Sequence, residues 1–229
     1  MSSRSGKGPS SKRGLVVHVR KANKRSVQSR AWLERQLNDP YVAAAQAQGW
    51  RSRAAFKLIE MDDRFGLIKQ GMRVLDLGAA PGGWAQVAVK RGAAKVVGLD
   101  LLPINPVQGV TFLEGDFNDP DMPDRLMALM GGGVDLVLSD MAPNTTGHAA
   151  TDHLRIIALA EMALEFALRV LTPGGSFVAK VFQGGTEGEM LGPMKRHFAA
   201  VKHVKPPASR KDSSELYVLG TGFRGESVV

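Results

Sequence analysis

Short apolar runs alternate with stretches of helical periodicity from Met72 onward. Val74–Leu77, Lys95–Leu99, Val110–Leu113, Val134–Leu138 and Ser176–Val181 read as strands, and Leu216–Thr221, next to glycines, as the last one. Between Asp152 and Thr172, the apolar residues Ile156, Leu159, Ala163, Phe166, Ala167 and Val170 recur at three- and four-residue steps, which predicts an amphipathic helix. Pro173-Gly174-Gly175 ends that helix and turns the chain into the next strand. Upstream, the span from Trp32 to Asp63 is predicted to be mostly helical, with Asp39-Pro40 as a break or cap. No internal repeat is evident. The rhythm is that of an α/β fold, a mostly parallel sheet covered by helices on both faces.

Charge adds a second layer. The chain has 229 residues, 44% of them hydrophobic, enough for one domain with a core that needs no staples. Its net charge is +8, yet residues 1–30 carry nine Lys or Arg and no acid, so the rest of the chain sums to −1. This Ser- and Gly-rich arm lacks the apolar period needed to fold alone and is expected to be disordered. It either attracts phosphates or serves as a solvated tail. Lys195, Arg196, Lys202, Lys205, Arg210 and Lys211 form a second basic run, with no acid between Met190 and Lys211. Two basic stretches on a nearly neutral body favour a nucleic acid partner.

The chain contains no cysteine, which excludes disulfides, thiolate zinc sites, iron–sulfur clusters and transferases that attack a pyrimidine through Cys. No stretch approaches the roughly 20 apolar residues of a membrane span, and no signal-peptide core follows the basic start. A cytoplasmic protein is expected, or a mitochondrial one if residues 1–30 are a transit peptide. The domain boundaries expected are an arm at 1–30, a folded domain at 31–222 and a flexible tail at 223–229.

Candidate chemistry collects at predicted strand ends. Gly78-Ala-Ala-Pro81-Gly82-Gly83-Trp84 places a glycine-rich turn between the first strand and a helix, where open sheets bind ligands. The spacing is not G-x-G-x-x-G, and Pro81 removes one of the amides that would cradle a pyrophosphate. A ligand without phosphates fits better, such as the amino acid part of S-adenosylmethionine. The plainer alternative is that the glycines only allow a tight turn. Asp100 ends the second strand, where a carboxylate can accept from ribose hydroxyls, and Asp116 follows the third, where it can accept from an adenine amine beside Phe117. Asp140 ends the fourth strand and Lys180 the fifth. An apolar run gives an inward lysine no solvated exit, so Lys180 is expected to reach the Asp140 carboxylate, as a site or as a simple ion pair.

Six segments carry a resemblance. Arg51-Ser-Arg53-Ala-Ala-Phe-Lys57-Leu, Asp76-Leu-Gly-Ala-Ala-Pro-Gly-Gly-Trp84, Asp100-Leu-Leu-Pro103, Ser139-Asp-Met-Ala-Pro-Asn144, Pro173-Gly-Gly-Ser-Phe-Val178 with Lys180-Val-Phe-Gln-Gly184, and Ser214-Glu215-Leu-Tyr217 resemble, in family order, the FtsJ-type 2′-O-methyltransferases of large-subunit ribosomal RNA. The resemblance runs from about Trp32 to Gly222. It implies a class I methyltransferase fold, Rossmann-like with seven strands, and S-adenosylmethionine as methyl donor. It implies methylation of a uridine ribose in the A-loop of 23S rRNA on the large ribosomal subunit, supporting ribosome assembly. It marks Lys57, Asp140, Lys180 and Glu215 as a catalytic tetrad, with Lys180 as proton acceptor, and puts Gly82, Trp84, Asp100, Asp116 and Asp140 at the cofactor.

The residue chemistry agrees with that assignment. A ribose hydroxyl is a poor nucleophile near neutral pH and needs a base or strict alignment. A desolvated Lys180 beside Lys57 would accept the proton as a neutral amine, Asp140 would orient it and face the sulfonium, and Glu215 would position Lys57 or the ribose. Alignment alone can supply roughly 7 to 11 kcal/mol of the barrier. No metal is required, and His148 and His153 are expected to face solvent. Met141-Ala142-Pro143 offers no aromatic ring for a flipped base, which argues against base methylation. Arg51, Arg53 and the run from Lys195 to Lys211 would hold the RNA backbone. Transfer RNA, an RNA cap, or a non-catalytic role in ribosome assembly are the alternatives, and a monomer is expected.

Overall fold

The structure, a computed structural model, describes residue 34 and residues 36–143, 146–183 and 190–225. The basic arm at 1–30, Trp32, Asn144, Gly184 and residues 226–229 of the predicted tail lie outside the described residues. In chain order the elements are α1 (Pro40–Gln48), α2 (Ala55–Phe65), β1 (Arg73–Leu77), α3 (Gly83–Lys90), β2 (Lys95–Asp100), β3 (Val110–Glu114), α4 (Met122–Met130), β4 (Val134–Ser139), α5 (Ala149–Val170), β5 (Leu171–Phe182), α6 (Leu191–His197), β6 (Phe198–Val204) and β7 (Glu215–Phe223).

The strands form one seven-stranded sheet in the order β3-β2-β1-β4-β5-β7-β6. β1 pairs in parallel with both β2 and β4, and β2–β3 and β4–β5 are parallel too. The winding direction reverses between β1 and β4, so the loops leaving their carboxyl ends diverge and leave a crevice. The sheet is not parallel throughout. β7 runs against both β5 and β6, because the short connection 205–214 returns the chain directly instead of carrying it over the sheet in a helix.

Alternation along each strand sends side chains to two cores. Leu75, Leu77, Val137, Phe177 and Ala179 pack with Leu126 and Met130 of α4 and Ala163 and Phe166 of α5. Val74, Leu136, Leu138 and Val178 pack with Phe56, Leu58 and Met61 of α2 and Trp84 and Val87 of α3. Each fully buried Leu or Phe contributes roughly 1.5–3 kcal/mol of transfer free energy, which fixes the strand register and, with it, the side chains at the strand ends.

Several sequence expectations need adjustment. Asp39 does cap α1, its Oδ1 accepting from the Tyr41 N–H at 3.0 Å, but the helical stretch also breaks between Gln48 and Ala55. β5 begins at Leu171, so Pro173-Gly174-Gly175 falls inside it and accounts for the register shift opposite Val134 and Leu136. β6 was not predicted. It is an edge strand buried only at Phe198 and Val204, so it carries no apolar run. Phe223 closes β7 and is buried, and Arg224 donates to the Lys195 and Arg196 carbonyls, so the ordered domain continues past residue 222.

Candidate active site

The loops after β1, β2, β3 and β4, with the first half of α5, enclose a cleft of about 640 Å³. Gly78 has φ 77°, and a Cβ there would stand 2.7 Å from the Met141 backbone nitrogen. The β1 and β4 loops therefore touch backbone to backbone, which only glycine permits. Asp100 accepts from the Ala80 N–H at 2.8 Å and the Leu102 N–H at 2.9 Å, which locks its carboxylate into the cleft wall. Asp116 accepts from the Asn118 backbone and side chain at 2.9 and 2.6 Å, and these donors hold its pKa below the ordinary aspartate value. Phe117 lines the same wall, braced edge-on by Phe166 at 5.7 Å.

Beneath this wall lies Asp76. It is fully buried, neither carboxylate oxygen has a hydrogen-bond partner, and the Ala85 N–H that favours its ionised form stops short of bonding geometry. Burial, then the charges of Asp140 and Asp100, push its pKa up to about 8. With Asp76 held neutral, the Asp100, Asp116 and Asp140 carboxyl groups that line the cleft create its demand for positive charge. S-adenosylmethionine, with an ammonium and a sulfonium, meets that demand, and Asp100 and Asp116 offer acceptors for its ribose and adenine. Gly82 and Trp84 do not line the cleft. Gly82 is the N-cap of α3 with φ 100°, and Trp84 turns its ring into the core against Tyr217 at 5.6 Å while donating to the Ala54 carbonyl. The Trp84 side chain is thus committed elsewhere.

The predicted tetrad converges at the edge of the cleft. Lys180 Nζ stands 3.0 Å from Asp140 Oδ1 and donates to the Asp140 carbonyl at 2.6 Å. Lys57, from α2, reaches both oxygens of Glu215 at 2.8 and 2.9 Å. The antiparallel pairing of β5 with β7 sets Lys180 opposite Tyr217 and Phe182 opposite Glu215. Tyr217 joins the two ion pairs: its hydroxyl donates to Asp140 Oδ1 at 2.8 Å and accepts from Lys57 Nζ at 3.0 Å. Tyr217 has no role among the residues the sequence marks. Its signal was there, since Tyr217 lies two residues past Glu215 on one strand and so shares its face.

The electrostatics are self-consistent. Burial alone would push the Asp140 carboxyl up, but Lys180, Lys57 and the Tyr217 hydroxyl outweigh it and hold its pKa below the ordinary value. Burial and the charges of Asp140 and Glu215 push the Tyr217 hydroxyl well above the usual tyrosine value, so it stays a donor.

Two expected roles change. Arg51 donates to the carbonyls of Pro81, Asn105 and Pro106, so its guanidinium fastens the loops after β1 and β2 instead of facing a polyanion. His148 is exposed as expected, but the ring of His153 lies 6.1 Å from that of Phe182, half-buried. Among the described residues no group of His, Cys, Asp or Glu could hold a metal ion, and no helix is long and apolar enough to cross a membrane.

The sequence pattern of the FtsJ-like methyltransferases matches residues 50–223. The chain belongs to that family. As an FtsJ-like methyltransferase it is an enzyme that uses S-adenosylmethionine as methyl donor. It is 71% identical over 216 residues to the ribosomal RNA large subunit methyltransferase E of Granulibacter bethesdensis, covering 94% of each chain. The protein of the same name from Gluconobacter oxydans is 68% identical, over 95% of this chain and 81% of the relative. Among solved structures, a Plasmodium falciparum protein assigned as a ribosomal RNA methyltransferase superposes with a TM-score of 0.69 at 28% identity, over 77% of this chain and all of the other.

Proposed function

We propose that this methyltransferase modifies the ribose 2′-hydroxyl of a uridine in the A-loop of 23S rRNA, on the large ribosomal subunit. The observation that carries the reading is the convergence of Lys180 on Asp140, at the edge of the cleft, with Lys57 linked to the same carboxylate through Tyr217. The names of its relatives support ribosomal RNA of the large subunit as substrate.

In this mechanism Asp100 and Asp116 bind the ribose and adenine of the donor, and Gly78 lets the backbone close around it. When bound, S-adenosylmethionine supplies an electrophilic methyl group on a cationic sulfur. Asp140 favours that positive charge and fixes the position of Lys180 Nζ. Lys180 Nζ takes the proton from the 2′-oxygen as that oxygen bonds to the methyl carbon and the carbon–sulfur bond breaks, its electron pair staying on the departing sulfur. Lys57, held by Glu215, is a second cation that steadies the developing oxyanion. The folded domain, from residue 31 through Arg224, carries the chemistry, residues 1–30 attract RNA phosphates, and the enzyme works as a cytoplasmic monomer.

The test is nucleotide-resolved mapping of ribose methylation in cells with the gene, without it, and with Lys180→Ala. Loss of one 23S rRNA uridine methylation in the latter two is expected. The purified variant should bind S-adenosylmethionine normally and turn over at least about 100-fold more slowly. A lost mark in transfer RNA, an unchanged map, or near-normal turnover of Lys180→Ala would overturn the reading.

A further inference from the structure

The hydrogen-bonded chain Asp140–Tyr217–Lys57–Glu215 links two recesses. Asp140 faces the large cleft. Lys57 and Glu215 face a second recess of about 210 Å³, bounded by Arg53, Ala54, Arg210 and Ser213. Three cations line it against one carboxylate, and that carboxylate is occupied by Lys57 and by the Ser209 hydroxyl at 2.8 Å. No aromatic ring lines it, so it offers a base nothing to stack on.

The two arginines retain unspent donors. Arg53 donates one terminal nitrogen to the Ala208 carbonyl, while its buried Nε lies 3.1 Å from Asp39 Oδ2 without hydrogen-bond alignment. Arg210 Nε stands 3.9 Å from the same Asp39 oxygen. A single carboxylate, half used in capping α1, balances two guanidinium groups, which leaves the recess one anion short.

The loop that presents Arg210 is held in shape. Lys205 Nζ donates to the Ser213 carbonyl at 2.6 Å and the Lys211 carbonyl at 3.2 Å, and the Ser213 N–H donates to the Arg210 carbonyl at 3.1 Å. The Ala208 N–H donates to Glu60 of α2 at 2.7 Å. Ordering of this loop is therefore already complete before a ligand arrives, which lowers the cost of binding.

We propose that this recess is a phosphodiester subsite, in which Arg53 and Arg210 grip the RNA backbone beside the acceptor ribose. The inference rests on the ribose-methylation reading above. The 2′-hydroxyl and the 3′-phosphodiester hang on neighbouring carbons of one ribose, so a hydroxyl facing Lys180 and Asp140 needs a phosphate site close by, and the recess lined by Lys57 is joined to that carboxylate through Tyr217. Guanidinium groups match a phosphate through paired N–H donors, a geometry an ammonium does not offer.

The experiment measures KM for large-subunit RNA, kcat, and S-adenosylmethionine affinity by calorimetry, across a potassium chloride series. Arg210→Gln should raise KM about tenfold, leave kcat and cofactor affinity within twofold, and reduce the slope of log KM against log salt by roughly 0.7, the value for one single-strand phosphate contact. Arg210→Lys should keep the slope while losing part of the affinity. Lys69→Gln, an exposed lysine in the turn that enters β1 at the amino end of the parallel strands, should change neither.

Wild-type KM and slope in Arg210→Gln, or an equal effect of Lys69→Gln, would overturn the subsite. If Arg210→Gln melts early, the wild-type enzyme is given an RNA oligomer with a methylphosphonate 3′ to the target ribose. A tenfold loss supports the subsite and no loss refutes it. Failure of the wild type to methylate any RNA ribose would instead sink the functional reading itself.

Discussion

Replacing Asp76 by Asn tests how the cofactor edge of the sheet is held together. Asp76 is fully buried between β2 and β4, with both oxygens unpartnered, and its pKa is raised from 3.8 to about 8. A carboxyl raised in this way keeps its proton in the folded state over a range where the unfolded chain has released it. Folding then takes up a proton, so stability falls as pH rises from about 4 toward 8 and levels off above that. The slope approaches 1.36 kcal/mol per pH unit, which from pH 6 to 8 amounts to roughly 2–3 kcal/mol. At 2–4 °C per kcal/mol for a domain of this size, the wild-type Tm should drop by roughly 5–10 °C more than that of Asp76→Asn over the same interval. Asn has nearly the same shape and no charge, so whatever its missing hydrogen bonds cost is constant with pH and cancels in the comparison. The assay is thermal unfolding of both cofactor-free proteins at matched ionic strength from pH 5 to 9. Parallel Tm-against-pH curves would refute the claim that Asp76 is held neutral.

Tyr217→Phe removes the hydroxyl that joins Asp140 to Lys57. It should cost about 1.5–3 kcal/mol of stability in denaturant unfolding and lower kcat about tenfold at saturating cofactor and RNA; an unchanged kcat would show that the two ion pairs act independently. Deleting residues 1–30, with their nine cations, should weaken RNA binding and flatten its salt dependence by up to about 0.7 per phosphate released. Fluorescence titration across a salt series reads this directly, and an unaltered slope would reduce the arm to a solubility tail.

How much of this was legible in the chain depends on how far each signal reaches. The parallel strands announce themselves because the central ones, buried on both faces, demand short, predominantly apolar runs such as Val74–Leu77 and Val134–Leu138, each interrupted by a single aspartate. β6 is silent because an edge strand exposed at Ala199, Ala200, Lys202 and His203 has no such demand to meet. The ion pair between Asp140 and Lys180 could be anticipated because both close adjacent strands and a lysine in an apolar run has few ways to keep its charge. The pair between Lys57 and Glu215 spans α2 and β7 and came only through the family resemblance, since no local rule connects a helix to a strand 158 residues away. Charge was the least faithful guide. Residue counting gives Arg51, Arg53 and Arg210 equal weight as cations, but Arg51 spends its donors on loop carbonyls while Arg210 retains terminal nitrogens for a ligand. Which cation is structural and which faces a partner depends on the carbonyl oxygens around it, and those are placed by the fold as a whole. A basic run therefore predicts that a polyanion is bound, and only the hydrogen-bond inventory of each guanidinium says where.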